Sequence, residues 1–112
     1  MHGPVKNLSA ALALALALVA CGKPVPPERS AYLGNWSSPT MSLVIAQDGR
    51  VEYKRVKGGV TTSVSGPLQK FEGDDFHVGI ATLSTRFAVS KPPVQENGAW
   101  TMVVDGEPLI RR

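Results

Sequence analysis

Met41-Ser42-Leu43-Val44-Ile45-Ala46-Gln47-Asp48-Gly49-Arg50-Val51-Glu52-Tyr53 carries the pattern of two strands joined by a tight turn. Met41, Leu43 and Ile45 alternate with Ser42, Val44 and Ala46, and after Asp48-Gly49 the alternation resumes at Val51 and Tyr53. Period two is the spacing of side chains along one face of a strand. Asp-Gly between two such runs marks a hairpin, because glycine accepts the positive φ of a tight turn.

The same pattern repeats toward the C-terminus. Phe76, Val78 and Ile80 form one apolar face, with Asp75 and His77 opposite. Leu83, Thr85, Phe87 and Val89 oppose Ser84, Arg86, Ala88 and Ser90, the clearest alternation in the chain. Lys91-Pro92-Pro93 and Asn97-Gly98 mark a loop before Trp100, Met102 and Val104, and Asp105-Gly106 sets up a closing hairpin with Leu109 and Ile110. Gly58-Gly59 and Gly66-Pro67 bound the weakest strand, Val60 to Ser65, rich in Thr and Ser and expected at an edge. No helical stripe occurs beyond Ala31. The reading is all-β: an antiparallel meander of seven or eight short strands over 32–112, closing into a small barrel or a two-layer sandwich to dispose of its edges. At about eight strands the interior is just filled by side chains, so a packed core is expected rather than a cavity. That core is expected to hold Trp36, Leu43, Ile45, Val51, Tyr53, Phe76, Val78, Ile80, Leu83, Phe87, Val89, Trp100, Met102 and Val104.

Toward the N-terminus the pattern changes. Lys6 precedes an apolar run, Leu8 to Val19, that ends in Ala20-Cys21-Gly22. A basic start, a short apolar core and a small-residue cut make a secretory signal over 1–20, and the run falls short of the roughly 20 residues needed to span a bilayer. Leu18-Val19-Ala20-Cys21 resembles the bacterial lipobox, which implies lipidation of Cys21, cleavage before it, and a membrane anchor through the N-terminal lipid. Gly22, where Asp would retain such a protein at the inner membrane, implies the outer membrane, facing the periplasm. Residues 21–31, with Pro24, Pro26 and Pro27, read as a Pro-rich extended linker to the domain.

Removing the signal leaves 92 of the 112 residues, one small domain, and lowers the net charge from +3 to +2 by the loss of Lys6. So mild a surplus does not support nucleic-acid binding. Cys21 is the only cysteine, so stability rests on the core without a disulfide.

Tyr32-Leu33-Gly34-Asn35-Trp36 carries a Gly-x-Trp that resembles the start of lipocalin-like barrels. That resemblance implies that Trp36 closes one end of the barrel beneath a last-strand arginine, Arg111 or Arg112, in a cation-π contact. The chain is far shorter than true lipocalins, so their ligand-carrying role does not transfer. With the lipobox and the segments Ile45 to Arg55 and Phe71 to Gly79, the whole chain resembles a family of small proteobacterial lipoproteins, a resemblance that implies a location and a fold but no activity.

No catalytic constellation assembles. Nucleophilic catalysis needs a positioned base and an orienting partner, yet His77 is the one histidine after the signal. Asp74-Asp75 read as turn residues, and one histidine does not make a zinc site. The chain is read as a non-enzyme without cofactor or metal. The candidate partner-binding residues are Arg50, Lys54, Arg55 and Lys57, with a bulge at Arg55 and Val56 turning extra charge outward. The leading function is a tethered, non-catalytic interaction module that docks a periplasmic or outer-membrane protein. A small-ligand binder of lipocalin type and a periplasmic inhibitor or immunity protein are the alternatives.

Overall fold

The structure, a computed structural model, describes residues 23–112. The signal and Cys21 lie outside the described residues. Nine antiparallel strands form one curled sheet, a half-barrel: β1 (Gly34–Ser37), β2 (Met41–Ile45), β3 (Arg50–Lys57), β4 (Val60–Glu72), β5 (Asp75–Ile80), β6 (Leu83–Phe87), β7 (Val89–Glu96), β8 (Ala99–Val104) and β9 (Glu107–Arg111). The order is β6-β5-β4-β3-β2-β1-β9-β8-β7. Strand β9 returns to β1 with Trp36 opposite Arg111. A single curled sheet is the barrel-like outcome of the all-β reading, not the sandwich.

Strands β6 and β7 stand at the two ends of that order, joined through Ala88 alone. Because direction alternates from strand to strand, the two run the same way and act as halves of one bent strand. The first half pairs with β5 and the second with β8. The bend is held by side chains. Asp75 Oδ1 accepts the Val89 N–H at 2.7 Å, and Asp105 Oδ1 accepts the Ala88 N–H at 3.0 Å.

Strand β4 is likewise shared. Its first half, Val60 to Pro67, pairs with β3, and from Leu68 it pairs with β5. Gly66-Pro67, expected to end a strand, is instead the corner inside a long one, where the Leu68 N–H donates to the Gly49 carbonyl at 2.6 Å. Pro92 and Pro93, expected in a loop, lie within β7. They are tolerated because β7 ends the sheet and its register shifts around them.

Most of the expected core is buried: Trp36, Leu43, Ile45, Val51, Tyr53, Phe76, Val78, Phe87, Val89, Met102 and Val104. Its centre is aromatic. Phe76 and Phe87 are cross-strand partners stacked at 5.1 Å, and Tyr53 meets Phe87 edge-on at 4.9 Å. Trp100 is half-buried. Ile80 and Leu83 correct the reading, being 69% and 83% exposed. The pairing of β4 with β5 ends at Leu68 and Val78, so past that point no strand flanks the β5–β6 hairpin on the β4 side, and Gln69 Nε2 reaches across to donate to the Ala81 carbonyl at 2.8 Å.

The stretch read as a free extended linker is docked. Val25 and Tyr32 are buried, Pro27–Tyr32 form a 3-10 turn, and the Val25 N–H donates to the Gln47 carbonyl at 3.1 Å. Gly49, at φ +91°, lies under the Lys23 backbone, where a Cβ would overlap the Lys23 carbonyl. A glycine in the β2–β3 turn therefore serves the approach of the incoming chain as well as the turn.

Candidate functional site

The β3–β4 hairpin outruns the sheet. Strand β2 accompanies β3 only as far as Met41 opposite Arg55; beyond that Val56 keeps a backbone hydrogen bond to Thr40 and Lys57 pairs with β4 alone. Gly58 and Gly59, both at positive φ, close a two-residue turn of the hairpin-favoured hand. From Val56 to Ser63 every residue is exposed.

The four candidate cations separate. The register runs unbroken through Arg55 opposite Thr62, Val56 opposite Thr61 and Lys57 opposite Val60, so there is no bulge at this point. Arg55 instead continues the inward face of Val51 and Tyr53 to the rim, where its guanidinium lies 3.8 Å from Glu107. Arg50 lies 3.6 Å from Glu52. Lys54 and Lys57 are exposed and make no ion pair among the described residues. Lys54 stands between two shallow clefts of about 320 and 210 Å³, one bordered by the hydroxyls of Ser42, Ser63 and Ser65, the other by Thr40 and Val56.

Glu107 organises the rim, a role with no signal in its local sequence. Its Oε2 accepts from Ser38 Oγ and Thr40 Oγ1, each at 2.7 Å. These bonds, with the charges of Arg55 and Lys57, hold its carboxyl below the usual carboxylate range. The β1–β2 turn is thereby fixed beside the hairpin, and the Val56 N–H donates to the Thr40 carbonyl at 2.9 Å.

Trp36 and Arg111 lie at the other end of the sheet's interior. Trp36 is 1% exposed, and its indole N–H donates to the Tyr32 carbonyl at 2.9 Å. The Arg111 guanidinium sits between two rings, 5.8 Å from the centre of Trp36 and 4.8 Å from that of Trp100. Arg112 instead donates to Ser37 Oγ at 2.8 Å.

His77 meets Glu72 Oε1 at 2.9 Å, and Arg86 joins Glu72 to Asp75 on the outer face of β5 and β6. Asp75, read from sequence as a turn residue, is a clamp. The Val89 N–H and then Arg86 hold its carboxyl below the ordinary range. Among the described residues no three His, Cys, Asp or Glu side chains gather as metal ligands would. The interior is occupied by side chains, with Leu43, Val51, Phe76, Met102, Val104 and Leu109 fully shielded from solvent. In comparisons with known proteins, the chain matches no family model, no curated protein and no solved structure.

Proposed function

We propose that the protein is an outer-membrane lipoprotein, anchored through Cys21 and facing the periplasm, that acts as a non-catalytic docking module for an acidic protein surface. The observation that carries this reading is the β3–β4 hairpin. Its tip projects beyond the core and exposes Val56 beside Lys54 on one face and Val60 beside Lys57 on the other (43% and 64% exposed for the valines), and neither lysine makes an ion pair among the described residues. No residue from Val56 to Ser63 is buried, so this tip is free for a partner to cover, and its flanking lysines steer an acidic one. The filled interior weighs against a ligand carrier, which needs a cavity of some 300 Å³ or more that is enclosed by the fold.

The docked N-terminal stretch supports a short, directed tether. Lys23 lies on the β2–β3 turn, at the opposite end of β3 from Gly58-Gly59. The eight residues of β3 span about 26 Å at about 3.3 Å each, so an anchor at Cys21 leaves the basic tip remote from the lipid.

Two variants test the reading. Cys21→Ser should incorporate no labelled palmitate and remain uncleaved after Ala20; equal labelling would overturn the anchor. Lys54→Ser with Lys57→Ser, which spares the Arg55–Glu107 pair, should fold normally and lose cross-linked protein partners in intact cells. Recovery of the same partners at the same yield would move the docking site elsewhere.

A further inference from the structure

We propose that the first half of β4 is a docking edge to which a partner adds an extended, acidic strand. Val60-Thr61-Thr62-Ser63-Val64-Ser65 pair with β3 on one side and with no strand on the other, because β5 joins β4 only from Leu68. Such an edge presents a row of backbone N–H and C=O groups, and proteins normally blunt it with charge, proline, bulges or brevity. This sheet does so at its other two edges. Strand β6 is five residues long and carries Arg86, fixed by Asp75 and Glu72. Strand β7 carries Lys91, Pro92 and Pro93 and two register shifts.

The β4 edge has none of these devices. Two Val and two Thr of its six residues favour strands, and four of the six, Val60 to Ser63, are exposed in unbroken succession. An edge left bare where two others are guarded is available for strand addition, in which main-chain hydrogen bonds supply affinity and side chains supply selectivity.

Charge selects the occupant. Lys57 lies opposite Val60 and Lys54 opposite Ser63 on the adjoining strand, both without an ion pair among the described residues. An added strand lies about 10 Å from β3, within reach of a lysine stem. Lys54 and Lys57 stand on opposite faces of the hairpin, so an extended segment with acidic side chains at alternate positions is drawn to one of them, whereas a second copy adding its own Val-Thr-Ser edge brings no acidic group to either. The inference rests on the docking reading above and specifies its mode.

The experiment uses the purified full chain and the capped peptide Glu-Val-Glu-Val-Glu-Val-Glu, alongside the same peptide N-methylated throughout, which keeps every charge and donates no ladder hydrogen bond. The plain peptide is expected to bind and to slow amide hydrogen exchange within Val60–Ser65. The methylated peptide should bind at least about tenfold more weakly, a loss of about 1.4 kcal/mol. Equal binding of the two peptides, or protection confined to other strands, would overturn strand addition. If equal binding is also abolished in Lys54→Ser with Lys57→Ser, the charged patch still docks partners and only the edge proposal falls. Absence of binding by the plain peptide overturns the acidic strand as occupant, while cross-linking in cells reports separately on docking.

Discussion

The edge of β7 and the edge of the first half of β4 are both unpaired, yet they are built in opposite ways. In β7 two prolines and two shifts of register break the ladder that another chain would copy. In β4 a regular run of Val, Thr and Ser keeps the ladder intact and stands beside two lysines that make no ion pair among the described residues. Protection against pairing is thus a local property of the sheet, present along β7 and absent along the first half of β4.

The contrast can first be sharpened by asking where the sheet stops being core. Phe87 and Leu83 share a face of β6, but Phe87 is 1% exposed within the aromatic stack and Leu83 is 83% exposed. Phe87→Ala should destabilise the domain by about 3 to 5 kcal/mol, and Leu83→Ala by less than about 0.5 kcal/mol. Denaturant midpoints would measure both, and similar costs would show that the hairpin past Val78 is packed after all.

A smaller loss is expected at the bend that delivers β7 to its edge. Asp75→Ala removes the acceptor of the Val89 N–H and the partner of Arg86, and should lower the melting temperature more than Asp74→Ala. The pH dependence has a fixed sign. Asp75 and Glu107 both have carboxyls held below their ordinary values, so their contribution is fully present above about pH 5 and is lost as pH falls below about 4, through their folded-state values. A melting temperature that rises on acidification across that window would contradict the clamp.

The smallest effect on stability is expected from exposing the guarded edge. Pro92→Thr with Pro93→Val should change stability little and increase self-association in sedimentation, since it restores ladder donors to a free strand. An unchanged monomer would show that the bulges alone suffice.

Much of the fold was legible because short-range rules decide it. Asp105-Gly106 makes the expected tight turn, and the alternation around Leu43, Val51, Phe76 and Met102 identifies the inner face. The failures have a common cause: periodicity says which way a side chain points but not whether a neighbouring strand lies there. Ile80 and Leu83 continue an inward face beyond the last β4–β5 pair, and Arg55 continues one to the rim without any bulge. The Pro-rich stretch reads as an extended linker because proline excludes helix, yet Val25 and the adjoining Tyr32 are apolar enough to dock it on the sheet. The lysines of the candidate site were visible in sequence, whereas the bare edge beside them depends on where β5 joins β4, a long-range fact that no local pattern carries.

On the proposed docking mode the β3–β4 hairpin, not the β5–β6 hairpin, meets the partner. A photo-cross-linking amino acid placed at Thr62 or at Leu83, both exposed, tests it in intact cells. A discrete protein adduct is expected from Thr62 that is lost when Lys54 and Lys57 are changed to Ser, and no such adduct from Leu83. A discrete adduct from Leu83 with none from Thr62 would contradict it.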